Sequence, residues 1–180
     1  MATRAKRRLT YEDYAHFPDD GRRWELIDGE AFVVPSPSFK HQDIAGSMYQ
    51  RIKNHLDRHG GGRVVIAPLD VVLSDVNTVQ PDVVFVSDED ADVITEKNIR
   101  GAPTWAIEVV SDPVRDKLVK RDLYARFGIS EYWAVDPDLR VVEIHRAGRE
   151  PEIVAHPEQP EPAALPGLRF DLDELFGPER

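Results

Sequence analysis

Apolar residues recur along this chain with two different periods, and the switches between the periods mark its elements. From His41 to about His59, Ile44, Met48, Ile52 and Leu56 fall every four residues, which predicts a helix with one buried face, closed by Gly60, Gly61 and Gly62. A second helix is predicted from about Pro113, acceptable in a first turn, to Phe127, with Gly128 as its stop. Thr10 followed by Asp13 reads as a helix cap and opens a short helix through about His16, ended by Pro18 and the turn at Asp19 to Gly21. Period-two segments predict strands at about 63–67, 69–73, 79–86, 104–110, 131–135 and 141–145. Ahead of them, Glu25 to Ile27 and Glu30 to Val34 flank Asp28-Gly29, the signature of a hairpin with a two-residue turn. The Pro- and Glu-rich stretch 151–166 is expected to be irregular, with Leu168, Phe170, Leu172 and Leu175 returning the chain to the body. The order predicts an α/β (α+β) fold: a central mixed sheet flanked by helices, preceded by an N-terminal β-hairpin.

At 180 residues and 41% hydrophobic content the chain suits one core, so 1–180 is expected to be a single domain, with 1–22 as an N-terminal helix and turn. No run approaches the roughly 18 apolar residues of a membrane span, and no signal peptide is legible behind the basic N-terminus, so a cytoplasmic protein is expected. Cysteine is absent, which leaves oxygen and nitrogen ligands and favours a hard cation over zinc. The net charge of −10 argues against broad nucleic-acid binding, because phosphate contacts require lysine and arginine. Part of that charge lies in the run Ser87 to Asp92, which reads as a solvated turn.

Three positions carry candidate chemistry. Alternation puts Asp82 on one face with Val84 and Val86, and Glu108 on one face with Ala106 and Val110, inside a segment so apolar that an unpaired carboxylate there is costly. If the two strands are neighbours, both acids converge on one hard cation; otherwise each is a structural acid held by an arginine or by loop amides. Asp116, Lys120 and Tyr124, spaced four apart, share one stripe of the second helix, and Lys120 can point back to the strand. The plainer reading of Asp116 and Lys120 is a surface helix pair. Lys117, on the same helix, is expected to face away and to be dispensable.

Gln80-Pro-Asp82, Ile107-Glu-Val-Val-Ser111, Arg115-Asp116 with Lys120 and Tyr124-Ala-Arg-Phe-Gly128, and Glu131-Tyr-Trp-Ala-Val-Asp-Pro137 together resemble the Uma-type family of restriction-endonuclease-like proteins, a branch of the PD-(D/E)xK nuclease superfamily. Trp24 to Glu30, Pro35 to Ser38 with His41, Pro68 to Val71 and Pro166-Gly-Leu168 extend the match over most of the chain. The resemblance implies a restriction-endonuclease-like αβββαβ core, Mg²⁺ or Mn²⁺ held by Asp82, Glu108 and the Val109 carbonyl, and DNA as substrate. One departure stands out: Val110 occupies the superfamily's lysine position, and the resemblance implies that Lys120 has taken over its role. Glu25 and His41 also match family positions, with Asp70 and Gln80 as second-tier members. A non-catalytic binding module that keeps the fold is the rival expectation. The charge further suggests a homodimer that brings the basic side chains Arg51, Lys53 and Arg58 of two copies to one duplex, with Tyr132-Trp133 or the hairpin around Phe32 as contact surfaces.

Overall fold

Residues 7–178 are described by a computed structural model of the chain. Helix α1 (Tyr11–Ala15) starts at the predicted cap, where the Thr10 hydroxyl accepts from the Asp13 amide and the Asp13 carboxylate accepts from the Thr10 amide. Strands β1 (Arg23–Ile27) and β2 (Glu30–Val34) form the predicted hairpin, and both turn residues, Asp28 and Gly29, have positive φ, 50° and 80°. Gly29 is required twice over, since a Cβ there would also lie 2.6 Å from that of Arg8.

Helix α2 (Phe39–His59) is capped by the Ser38 hydroxyl, which accepts from the His41 amide, and it buries Ile44, Met48, Ile52 and Leu56 as the four-residue period requires. Each such side chain contributes about 1.5–3 kcal/mol when fully buried. After it come β3 (Gly62–Ile66), β4 (Val71–Ser74), β5 (Asn77–Val79), β6 (Val83–Ser87), β7 (Ile99–Arg100) and β8 (Trp105–Val109). A π-helical stretch, Arg115–Val119, runs directly into α3 (Lys120–Arg126), followed by β9 (Glu131–Asp136), β10 (Val141–Arg146), β11 (Glu152–Ala155) and α4 (Leu172–Phe176).

The strands form two sheets rather than the one that was expected. A six-stranded sheet has the order β11-β10-β9-β8-β6-β3, and a five-stranded sheet the order β2-β1-β5-β4-β7. Within the first, α2-β3-β6-β8-α3-β9 is the expected αβββαβ succession, with β6 antiparallel to β8 and β8 parallel to β9. One face packs on α2, α4 and the tail residues Leu168 and Phe170; the other packs on α3 and the second sheet.

Two local expectations are corrected. The strand expected at 79–86 is broken at Gln80-Pro81-Asp82, and its halves, β5 and β6, lie in different sheets. Pro81 has no N–H for a ladder, and the Gln80 amide instead donates to the Glu25 carboxylate at 2.9 Å. Within 151–166, residues 152–155 are not irregular: β11 pairs along β10 with Val154 buried opposite Val142. Tyr132 and Trp133 are buried in the sheet, so they offer no contact surface to a second chain, whereas Phe32 is exposed.

Candidate active site

Continuing the β6–β8 register, in which Val83 faces Ile107, sets Asp82 opposite Glu108. The break at Pro81 thus delivers Asp82 to the mouth of the sheet instead of leaving it in mid-strand. Its Oδ2 accepts from the Val109 amide at 2.8 Å, and Oδ1 is 3.0 Å from Nε2 of His41 on the first turn of α2. Glu108, 3% exposed, accepts at Oε1 from Lys120 Nζ at 2.8 Å and from the Tyr124 hydroxyl at 2.7 Å. Lys120, 2% exposed, also reaches Oε1 of Glu25 at 2.9 Å and lies 4.0 Å from Asp116. Asp82, Glu108, Val109, Gln80, His41, Asp116 and Lys120 line one cavity of about 330 Å³, partly open to solvent, whose wall includes residues 34–38.

The lysine reaches this position from an irregular helix. The Lys120 amide bonds back to the Arg115 carbonyl, five residues earlier, and such π turns are over-represented at functional sites. Asp116 holds the entry to that turn, since its Oδ2 accepts from the amides of Ser111 and Asp112 while Oδ1 takes the Arg115 guanidinium at 3.2 Å. Asp116, Lys120 and Tyr124 are all buried, so the stripe seen in the sequence faces the strands.

Electrostatics divide the acids. Burial pushes Glu108 up to about 8 against the pull of Lys120, helped by the charges of Asp82, Glu25 and Asp116. Burial alone would lower Lys120, but Glu108, Glu25 and Asp116 hold its ammonium far above the ordinary lysine range. Burial alone would raise Asp116, yet Lys120, the Asp112 and Ser111 amides and Arg115 keep it below the usual carboxylate range. Lys120 is therefore a permanent cation, and Glu108 is the carboxyl that titrates near neutrality.

A family model described as "Putative restriction endonuclease", Uma2, matches residues 11–173. The chain belongs to the Uma2 family. A crystal structure of a "putative nuclease" from Anabaena variabilis has the same fold, with a TM-score of 0.79 over 93% of this chain and 97% of that one, at 22% identity. No curated protein matches the chain.

In this Uma2 protein the sequence-derived residues separate by place. Asp82, Glu108 and Lys120 come together, and Glu25, which does not pair with its neighbour Arg23, joins them through the lysine. Asp70 does not line the cavity; it accepts from the Tyr14 hydroxyl at 2.8 Å and the Gln80 side-chain amide at 2.9 Å, fixing Gln80 at the rim. Lys117 is not a free surface charge: it is 2.8 Å from both Asp136 and Glu143 and only 13% exposed. Arg23 and Lys40 do not stand out in the sequence, yet they line the same cavity as Arg115, which the family motif already sets beside Asp116. With Lys120 they make four cations against four lining acids, Asp82, Glu108, Asp116 and Asp138, so the net charge of −10 resides elsewhere on the molecule. Proximity of Lys40 to the Ser38 cap is the available signal for one of them.

The donor set bears on a metal ion. Among the described residues no group of three or more His, Asp or Glu side chains is arranged to hold one. The cavity does offer two carboxylates, Asp82 and Glu108, beside the Val109 backbone, with no sulfur ligand. Oxygen donors in that number fit a magnesium-like cation, which takes one or two carboxylates and keeps several waters. No helix among the described residues is long and apolar enough to cross a membrane.

Proposed function

We propose that this Uma2 protein is a divalent-metal-dependent endonuclease that hydrolyses phosphodiester bonds of DNA. The observation that carries the reading is that Asp82, just ahead of β6, faces Glu108 of β8, with the Lys120 ammonium 2.8 Å from Glu108, in a cavity open to solvent. Asp82, Glu108 and the Val109 carbonyl would hold Mg²⁺ or Mn²⁺. When bound, that ion supplies Lewis-acid polarisation of the phosphoryl oxygens and a more acidic water.

The chain's own side chains do the rest. Lys120 Nζ, fixed between Glu25 and Glu108, donates to the attacking water and balances negative charge that grows on the phosphate. Tyr124 and Glu25 fix the positions of Glu108 and Lys120, and His41 orients Asp82 through its Nε2. The family resemblance supports DNA as the substrate, and the four cations of the cavity lining count against the objection raised by the acidic whole. We read the active species as a homodimer, with the exposed hairpin around Phe32 as its contact surface; light scattering that shows only monomer at micromolar concentration would end that part of the reading.

The deciding experiment is cleavage of a DNA substrate with Mn²⁺ or Mg²⁺ by the wild type and by Glu108→Gln. Cleavage by the wild type alone is the expected result. Absence of cleavage by the wild type under either ion would leave a binding module that keeps the nuclease fold.

A further inference from the structure

Two of the four cations that line the catalytic cavity are not neutralised by a neighbour. Arg115 is paired with Asp116, and Lys120 with Glu25 and Glu108. The Arg23 guanidinium, at the start of β1, has no hydrogen bond or ion pair among the described residues. Lys40 donates to the uncharged carbonyl of Pro137 at 2.8 Å, which leaves two of its three N–H groups unused. The loop 35–38 also lines the cavity with the exposed residues Ser36 and Ser38; the Ser38 hydroxyl accepts from the His41 amide and keeps its own O–H to donate.

Beyond Lys40 the cavity adjoins a second one of about 690 Å³, and the two share Lys40, Pro137 and Asp138. Its wall carries Phe39, which at 87% exposure is far more open than a phenylalanine of this size normally stands, together with Ile44, Pro137 and Phe176. Asp43, Asp138 and Arg140 line it too, while Glu174 there is paired with Arg51. An aromatic face beside carboxylates suits a nucleobase, which stacks on the ring and offers N–H groups to the acids.

We propose that Arg23, Lys40 and the Ser36 and Ser38 hydroxyls form a phosphate seat facing the Asp82–Glu108 carboxylates, and that Phe39 is the stacking platform for the next base, so that the substrate engaged here is an unpaired, single-stranded stretch of polynucleotide. The placement of the scissile phosphate in this track rests on the nuclease reading; the binding of the strand does not. A base paired in a duplex is stacked on both faces already and cannot also lie on Phe39.

The test is fluorescence anisotropy with a labelled short single-stranded DNA oligonucleotide in EDTA, where no turnover occurs, across a series of salt concentrations. Each phosphate of a single strand that the protein ceases to neutralise takes about 0.7 from the slope of log affinity against log salt, so the double variant Arg23→Gln, Lys40→Gln should have a slope shallower by about 1.4. Arg23→Lys, which keeps the charge, should retain most of the slope, and this separates a charge effect from a folding defect. Phe39→Ala should weaken binding at least about fivefold with the slope unchanged, because stacking releases no counterions. A wild-type slope in the double variant, wild-type affinity in Phe39→Ala, or tighter binding of the matching duplex would each overturn the proposal. Cleavage of the same oligonucleotide with Mn²⁺ is scored separately: cleavage with unaltered variant slopes sinks the track alone, whereas altered slopes without cleavage sink the nuclease reading alone.

Discussion

Lys120 Nζ lies 2.8 Å from Oε1 of Glu108, and both groups are almost wholly inaccessible to water. Glu25 from the hairpin meets the same ammonium at 2.9 Å, so one cation ties a helix to a strand of each sheet. Removing one partner of such a buried set leaves uncompensated charge, which costs about 3–5 kcal/mol. Lys120→Met should therefore lower unfolding free energy by about that amount in urea denaturation, on top of any loss of cleavage. A loss below about 1 kcal/mol would mean that the lysine is held far more loosely than its ion pairs indicate.

Glu108 gives the stability of the metal-free protein a specific pH dependence. Its carboxyl stays protonated up to about 8 in the folded state, whereas its ordinary value is 4.5, so between those values the folded protein holds one more proton than the unfolded chain. Its contribution is complete below about 4.5 and is lost as pH rises through about 8, with a slope of at most about 1.4 kcal/mol per pH unit. Glutamine imitates the protonated form, so Glu108→Gln should flatten this decline and exceed the wild type in stability at pH 9 in EDTA. Parallel curves for the two proteins from pH 5 to 9 would show that another group sets the dependence.

Lys117 offers a correction that can be measured. From the sequence it serves as an inert comparison for Lys120, but its ion pairs with Asp136 and Glu143 join the π turn to β9 and β10. Lys117→Ala should cost about 1–2 kcal/mol, more than a fully exposed pair, because Asp136 and Glu143 lose their shared cation in partly screened surroundings. Exposed Lys97, which makes no ion pair among the described residues, is the proper control and should change stability by less than about 0.5 kcal/mol.

What is legible in the sequence is what local rules govern. The period of four in Ile44 to Leu56, the Thr10 cap, the Asp28-Gly29 turn and the alternation around Glu108 each follow from constraints within a few residues, and each is present as read. The same alternation correctly separates Trp105, Ile107 and Val109, which pack toward α2, from Ala106 on the opposite core. The division into two sheets is not legible, because it depends on a long-range bond: the Glu25 carboxylate takes the Gln80 amide from 55 residues away and ends β5 where local pattern would have continued it. Pro81 is the one local signal of that break, since it cannot donate to a ladder in mid-strand. In the site, the stripe Asp116, Lys120, Tyr124 can be read from spacing, but the π turn that seats Lys120 cannot, since periodicity does not distinguish it from an α-helix. Arg23 and Lys40 escape a reading of the sequence because their significance lies in what they do not touch, and that is a property of the folded molecule only.

Addition of a divalent ion should distinguish an intact carboxylate site from one that Lys120 has filled for good. As the protein stands, the ammonium is already held by Glu25 and Glu108, so a bound ion must gain its place beside Asp82 and Glu108 without displacing the lysine. The cavity permits this: Asp82 uses one lone pair of each oxygen toward His41 and Val109, which leaves a second pair on each, and the lining is open to solvent for the remaining water ligands. An ion present at about 100 times its dissociation constant stabilises the folded state by about 2.7 kcal/mol, a shift easily seen in thermal unfolding. Mn²⁺ should therefore raise the melting temperature of the wild type at pH 8, while Asp82→Asn and Glu108→Gln should respond weakly or not at all. Lys120→Met provides the contrast that makes the experiment decisive. With its ammonium gone, the two glutamates demand a cation more strongly, so the variant should be the least stable protein in EDTA and should show the largest rise on adding Mn²⁺. If the wild type and all three variants melt at the same temperature with and without the ion, Asp82 and Glu108 do not form a metal site, and the buried lysine is their permanent counterion.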